Sequence, residues 1–200
     1  MTSHSEIEHL LRTIILPFYH IKRDMPLPIG ERRFENDAEH SWSIALLACA
    51  LAPQIDAKLD VGKIAQFATV HDLVEVYAGD TFAFGDKEHI ATKHEREAKA
   101  IKRLTAEFKH FPWMIDTIEE YERRESNEAQ FVYAIDKYIA IAYDYIDQGK
   151  YLKESKITKA KYADLLSNHR KKAHSHPLIG KYYDEVRDLL DADPAHFYEE

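Results

Sequence analysis

Apolar residues recur at helical spacing along most of this chain, and this periodicity predicts an all-α fold. In segment 61–78, Ile64, Phe67 and Ala68 lie at positions i, i+3 and i+4 and therefore share one stripe of an amphipathic helix. Gly and Pro, which interrupt helices, account for only 6 and 7 of the 200 residues. We expect one compact helical domain over residues 1–200, long enough to bury a hydrophobic core.

Capping and turn residues divide the chain into predicted helices. Asp37 and Asp60 are expected N-caps, and Gly79 and Gly149 are each expected to follow the last residue of a helix. The helices predicted from these signals and from periodicity span residues 5–19, 38–52, 61–78, 89–109, 113–124, 127–148, 156–171 and 178–191. Between the first two predicted helices lies the segment KRDMPLPIGERRFEND, which has two prolines and a glycine and is predicted to be a loop.

Composition excludes several classes of protein. The formal net charge of -8 argues against a protein that binds nucleic-acid polymers. The single cysteine, Cys49, excludes an intramolecular disulfide and suits a reducing compartment. Glu6, Glu8 and Arg12 interrupt the first apolar residues, unlike a signal peptide, and no window approaches the roughly 18 apolar residues of a membrane span. We therefore expect a cytoplasmic protein without nucleic-acid or membrane partners.

Polar side chains interrupt the apolar stripes of three predicted helices. The stripe that begins at Ile64 continues by i+7 and i+11 to His71 and Glu75, with Asp72 beside them. His40 heads the stripe of the helix at 38–52, and Asp136 stands on the stripe of the helix at 127–148. Three helices therefore each direct a residue that can bind a metal ion toward the interior.

Two explanations of these residues remain open from the pattern alone. A single histidine on an apolar face is more often a hydrogen-bonded core residue than a ligand, Asp136 has Lys137 as a possible ion-pair partner, and Glu75 could be solvated near a helix end. Together, however, buried acids and histidines need mutual compensation or a cation. Two imidazoles and two carboxylates suit one divalent ion, with Mn, Co, Fe or Zn favoured over Mg.

Three motifs together resemble the HD-domain metal-dependent phosphohydrolases: ENDAEHSW, HDLVEVYAGD and AIDKY. The branch they resemble most is that of the bacterial 5′-deoxynucleotidases and their eukaryotic HD-domain-containing relatives. The similarity spans about residues 20–150, so 151–200 is expected to be a C-terminal helical extension that packs on the core. The resemblance implies a compact helical fold with a metal site between helices, and a homodimer is possible by analogy with the family.

The resemblance also implies roles for individual residues. The ligands of one divalent metal ion would be His40, His71, Asp72 and Asp136. Glu75 and Asp80 would be catalytic, with Glu75 orienting or deprotonating the attacking water and Asp80 donating a proton to the leaving oxygen. The implied reaction is release of phosphate from nucleoside or deoxynucleoside 5′-monophosphates by attack of a metal-bound water.

Substrate contacts are implied less directly. In the deoxynucleotidase branch an Arg-Trp-Pro-Leu segment holds the 5′-phosphate, and Arg23 of KRDMPL is expected to take the place of its arginine. The tryptophan is absent, so the preference between ribose and deoxyribose stays open. Arg33 and Lys87 are further candidates for phosphate contacts. The histidines of HRKKAHSHP, by contrast, are interpreted as a solvated helix end.

Two other functions are compatible with the same residues. One is hydrolysis of a triphosphate, guanosine tetraphosphate or a cyclic nucleotide, and the scarcity of basic residues near the motifs disfavours it. Another is a non-catalytic sensor that binds a metal ion or a nucleotide. Glu75 and Asp80 disfavour the sensor, because binding alone does not require them.

Overall fold

Helices account for most of the structure, a computed structural model that describes residues 2–30, 33–81 and 87–199, without the side chains of Lys87 and His89. The helices are α1 His4–Leu10, a π-helical turn Leu11–Ile15, α2 Leu16–Phe18, α3 Asp37–Ile55, α4 Val61–Val70, α5 Glu75–Ala78, α6 Lys87–Ala91, α7 Lys93–Glu107, α8 Pro112–Arg123, α9 Asn127–Ile146, α10 Lys150–Glu154, α11 Lys159–Ala173, α12 Pro177–Ala192 and a 3₁₀ turn Pro194–His196. The predicted all-α fold class is therefore confirmed.

A small β-hairpin replaces part of the loop that was predicted before α3. Its strands, β1 Lys22–Pro26 and β2 Phe34–Asn36, pair in antiparallel orientation. In β2 the charged Glu35 is buried and the apolar Phe34 is exposed, which reverses the usual alternation of a strand. A search for buried apolar residues misses such a strand. The hairpin carries Arg23 and Glu35 to the first turn of α3.

The first turn of α3 is capped one residue earlier than expected. Asn36, not Asp37, is the N-cap: its Oδ1 accepts a hydrogen bond from the Glu39 amide at 3.0 Å, and Glu39 Oε2 accepts one from the Asn36 amide at 3.1 Å. This reciprocal capping box satisfies two amides that the helix leaves unpaired. Asp37 lies fully buried inside the helix and is therefore available for other contacts.

The prediction of one continuous helix over 61–78 was wrong. Helix α4 ends at Val70, and residues 71–74 form tight turns before α5 begins at Glu75. In these turns the amides bond three residues back: Leu73 donates to the Val70 carbonyl at 3.0 Å, and Glu75 to the Asp72 carbonyl at 2.9 Å. The 3.6-residue period therefore does not hold through His71 and Asp72, so their directions do not follow from helical spacing.

Other helix boundaries agree with the expected capping residues more closely. Asp60 Oδ1 accepts from the Lys63 amide at 3.1 Å, and Gly79, with a φ of 73°, is the C-cap of α5. Gly149 also has a positive φ, 63°, but it is the N-cap of α10, because α9 already ends at Ile146. The segment predicted at 89–109 divides at Thr92 into α6 and α7, and α10 was not predicted. Over the described part of the chain, no helix is both long enough and apolar enough to cross a membrane.

Helix α9 is shared by two apolar clusters. On one side its Phe131 and Ile135 pack with residues of α3 and α4, including Ile44 and Phe67. Nearer its C-terminus, Ile141 packs with α10, α11 and α12 in a second cluster. Burying a large apolar side chain contributes about 1.5–3 kcal/mol, so the contacts of α9 with both clusters hold the C-terminal helices to the rest of the chain.

A buried acid is paired with a tyrosine in the second cluster. Asp144 of α9 is 6% exposed and accepts a hydrogen bond from the Tyr162 hydroxyl of α11 at 2.5 Å, whereas its Oδ1 has no hydrogen-bond partner within the described residues. Burial raises the pKa of Asp144 to about 7, against the lowering effect of Tyr162. The folded protein therefore binds a proton here at pH values where the unfolded chain has lost it.

This shift gives a pH dependence of stability with a defined sign. Between the ordinary pKa of an aspartate, 3.8, and about 7, the native state binds more protons at Asp144 than the unfolded state, so this group lowers stability as pH rises, by at most about 1.4 kcal/mol per pH unit. We expect Asp144→Asn to remove that slope when unfolding free energies are measured by denaturant titration from pH 4.5 to 6.5. Asp164→Asn, at an exposed acid of α11, is the control; equal slopes in wild type and Asp144→Asn would contradict the prediction.

Candidate active site

The break between α4 and α5 turns a histidine into the core. His71 is buried, and its Nδ1–H donates to the Ala68 carbonyl at 2.9 Å. This bond assigns the proton of a neutral ring to Nδ1 and leaves the lone pair on Nε2. The buried Nε2 has no hydrogen-bond partner among the described residues and lies 3.1 Å from Asp72 Oδ2. A buried imidazole nitrogen held in this way is suited to bind a cation.

A second histidine approaches from α3. The Nδ1 atom of His40 lies 2.9 Å from Oε1 of the buried Glu35, and its Nε2 lies 3.1 Å from Asp136 Oδ1. Although burial and Arg23 act to lower it, the pKa of His40 is raised by hydrogen bonds to Asp136 and Glu35. A proton and a metal ion compete for Nε2, so a metal ion that bound there would displace the proton.

Carboxylates crowd the space between these rings. Asp136 comes from the middle of α9, and Asp72 follows His71 in the turn. Burial acts to raise the pKa of Asp72, but His71 and Arg23 together hold it well below the ordinary value. The pKa of Asp136 is likewise depressed despite burial, with Lys137 and His40 as the causes. Both acids are therefore anionic at neutral pH.

Arg23 is the cation that contacts most of these acids. From β1 its Nη1 lies 2.7 Å from Asp72 Oδ2 and 3.2 Å from Asp37 Oδ1, and its Nε lies 3.4 Å from Glu35 Oε1. Burial and the charge of Asp72 raise the pKa of Asp37 to about 7. The arginine predicted to hold a phosphate is therefore in the site, but three carboxylates of the chain already surround it.

Glu75 and Asp80 lie beside the same cluster. Glu75, the first residue of α5, is buried with its Oε2 lacking a hydrogen-bond partner within the described residues. Its pKa is raised well above the ordinary value by burial and by the charges of Asp72 and Asp37. Both Glu75 and Asp80 line one cavity of about 270 Å³, together with Arg23, Asp72 and Asp136. Five of the residues singled out from the sequence thus share a single cleft.

The donor set fits a divalent metal ion. One donor atom from each of His40, His71 and Asp72 lies within 4.8 Å of the other two, and Asp37, Asp72 and Glu75 form a second such group. Bonds of about 2.1 Å to a common ion place donors up to about 4.2 Å apart, so the first group needs only small adjustments. Arg23 and Lys137 compensate part of the negative charge, but neither contacts the unpaired Nε2 of His71.

Of the other two predicted substrate contacts, one lies outside the cavity and one falls outside the described side chains. Arg33 lies outside its lining and pairs instead with Glu39, Nη1 to Oε2 at 2.8 Å, with 57% of its side chain exposed. Glu39 is held near Arg33 by the capping box of α3, which the loop prediction had not included. The Lys87 side chain lies outside the described part of the structure.

Several residues of the site were missed from the sequence. Glu35 and Asp37 had no periodic signal, because one lies in an unpredicted strand and the other was taken for a cap. Helix α11 lines the cavity with His169 and Lys172, and α7 with Lys93. The interpretation of His169 as part of a solvated helix end was therefore wrong: burial and Lys137 lower its pKa to about 3.

Most of the chain matches a known protein family. The sequence pattern of a family described as HD domain matches residues 19–177. The chain belongs to the HD domain family. The match extends beyond residue 150, where the sequence resemblance was expected to end, and includes α11.

Relatives of this HD-domain chain include proteins of known name and structure. It is 31% identical over 108 residues to human 5′-deoxynucleotidase HDDC2 and 30% identical over 105 residues to the mouse protein, covering 53% and 52% of this chain. The chain spans about half the length of these curated relatives, 51% in each case. These sequence matches therefore compare only parts of the proteins.

Solved structures resemble the whole chain. A predicted metal-dependent phosphohydrolase from Magnetospirillum magnetotacticum MS-1 is 29% identical, with a TM-score of 0.76 and coverage of 100% of both chains. A conserved hypothetical protein from Pyrococcus furiosus is 23% identical, with a TM-score of 0.54 over 96% of this chain and 100% of its own. The second likeness concerns the fold alone.

The buried contact between Glu35 and His40 leads to a prediction about metal affinity. A carboxylate that holds the far nitrogen of a liganding histidine typically raises metal affinity 10–100-fold. We therefore expect Glu35→Gln to weaken binding of Mn²⁺ or Co²⁺ by about 10-fold or more in equilibrium dialysis, while the helical circular dichroism is kept. The exposed Glu125→Gln is the control; unchanged affinity in the Glu35 variant would show that this contact does not tune the site.

Proposed function

We propose that this HD-domain protein is a metal-dependent phosphohydrolase that releases phosphate from nucleoside or deoxynucleoside 5′-monophosphates. The observation that carries the proposal is the convergence of two histidines and two aspartates, from α3, the α4–α5 turn and α9, beside a cavity that also contains Glu75 and Asp80. The name of the human and mouse relatives, 5′-deoxynucleotidase, supports the choice of substrate class.

The proposed metal ligands are the residues whose donor atoms face one another in the core: His40, His71, Asp72 and Asp136. A divalent ion held there supplies a Lewis acid that acidifies water and stabilises negative charge on a phosphate. The mixture of nitrogen and oxygen donors favours Mn, Co, Fe or Zn over Mg. Glu35 and Ala68 would fix the orientations of the two rings.

The proposed roles of the acids follow from their positions around the cavity. Water attacks phosphorus through its oxygen, and the bond from phosphorus to the ribose O5′ breaks. Glu75 would accept the proton that the water loses once a bound cation offsets the effect of burial and of the charges of Asp72 and Asp37, which otherwise raise its pKa. Its buried carboxyl lies beside Asp72 and has an unpaired oxygen. Asp80 follows the C-terminal end of α5 and lines the cavity, and it delivers a proton to O5′. The products are inorganic phosphate and a nucleoside.

A nucleoside polyphosphate is the second candidate substrate. The sequence motifs offered few basic residues for extra phosphates, but the structure places Lys93, Lys137 and Lys172 on the cavity lining. These lysines come from three helices that are far apart in the sequence. The cavity is thus more cationic than the motifs indicated, which is the observation that favours the polyphosphate.

One assay separates the candidates. The purified protein is analysed for bound metal, and phosphate release is then measured from matched nucleoside mono-, di- and triphosphates with added Mn²⁺ or Co²⁺. We expect the highest kcat/KM with a monophosphate. Preference for a triphosphate would select the second candidate, and bound metal without release from any member would favour a sensor.

A change at Glu75 tests the assigned proton transfer. Glu75→Gln keeps the size of the side chain but removes its ability to accept a proton, so we expect kcat to fall about 10²-fold or more. Metal content, measured by elemental analysis, should stay at the wild-type level, whereas Asp72→Ala should lose the metal. A Glu75→Gln protein with full activity would refute the role of Glu75 as the base.

A further inference from the structure

The cavity has a cationic wall beside the carboxylate cluster. Lys93 comes from α7, Lys137 from α9, and His169 and Lys172 from α11, two residues that are three apart and therefore on one face of that helix. The pKa values of His169 and Lys172 both respond to the charges of Lys137, Lys93 and Asp136. The α11 pair therefore faces the end of the cavity where Asp136 lies.

Lys172 differs from its neighbours in having no counter-ion. Lys93 pairs with Glu97 at 3.3 Å, and Lys137 pairs with Asp136. Among the described residues, no acid lies within ion-pair distance of Lys172, although its side chain is only partly exposed. A partly buried ammonium group without an anion is costly. Burial first, and then Lys137 and Lys93, accordingly lower the pKa of Lys172 to about 8.

Three carboxylates of the chain compete with a phosphate for Arg23. Arg23 is the cation predicted to bind the phosphate, yet its Nη1 contacts Asp72 and Asp37 and its Nε lies 3.4 Å from Glu35, so these carboxylates already share its charge. A substrate dianion in this cavity therefore needs other donors. Lys172 offers an unpaired ammonium, and the neutral imidazole of His169 offers a hydrogen-bond donor without additional charge.

We propose that Lys172 and His169 bind the phosphate group of the substrate, so that helix α11 of the C-terminal segment forms part of the active site. The ligand class is a phosphate monoester dianion. Naming it as the substrate rests on the proposed function, whereas binding of the anion itself does not require turnover. The phosphate lies between the cationic wall and the carboxylate cluster, and Lys137 and Lys93 complete the positive surface around it.

Binding of inorganic phosphate tests this proposal without any catalytic step. Titration calorimetry on the metal-loaded protein compares wild type with Lys172→Gln, His169→Gln and Lys171→Gln. Lys171 is the neighbouring exposed lysine of the same helix and does not line the cavity. Lys171→Gln is the control, because it changes the net charge of the protein as much as Lys172→Gln does. We expect about tenfold weaker phosphate binding in Lys172→Gln, a smaller loss in His169→Gln and no change in Lys171→Gln. The charged ammonium of Lys172 would bind the anion more strongly than the neutral imidazole of His169.

Two further measurements exclude a merely structural role. Lys172→Arg should restore most of the affinity, and metal content should be equal in all variants. Unchanged phosphate affinity in Lys172→Gln, an equal loss in Lys171→Gln, or no phosphate binding by the wild type would each overturn the proposal. A wild type that binds phosphate through Lys172 but hydrolyses no nucleotide would sink the proposed function and leave this inference standing, while hydrolysis with an unaltered KM in Lys172→Gln would do the reverse.

Discussion

Compensation of negative charge in the core is the constraint on which this structure depends. Glu35, Asp37, Asp72, Glu75 and Asp136 converge in a space that excludes most water. Anions brought together in this way destabilise the folded state unless cations or protons accompany them. The guanidinium of Arg23 and the buried imidazoles offset part of this charge, and the raised pKa values of Asp37 and Glu75 favour their neutral forms. The proposed divalent metal ion would concentrate more positive charge at one point than any side chain can. Stability and activity therefore draw on the same groups.

Local irregularities of the backbone make this convergence possible. A continuous helix over 61–78 would point His71 and Asp72 about 100° apart. The tight turns at 71–74 instead leave their donor atoms 3.1 Å from each other. Similarly, the inverted strand β2 turns Glu35 inward, where an ordinary alternation would bury Phe34. The turns thus bring together two side chains that a continuous helix would separate, and β2 buries a charged residue where most strands bury an apolar one.

The sequence predicted the helical class and the residues on regular stripes, because burial and periodicity reinforce each other there. His40 and Asp136 were found in this way, and the family motifs added Asp80. Glu35 could not be found, because a charged residue facing inward in a short strand has no periodic signature. Lys172 could not be found either, since its place in the cavity depends on how α11 packs against α9. The turns at 71–74 were not predicted, because the apolar residues keep helical spacing through them.

The position of α9 in two apolar clusters has a consequence for where this protein can be divided. Its first half carries Asp136, and its second half packs against α11 and α12 through Ile141 and the bonded pair Asp144 and Tyr162. A chain that ended at residue 150, where the motifs end, would expose apolar residues of α9, the helix that carries Asp136 of the carboxylate cluster. We therefore expect the smallest autonomous folding unit to include the C-terminal helices, so that a shortened or fused version of the protein keeps its stability only with them attached.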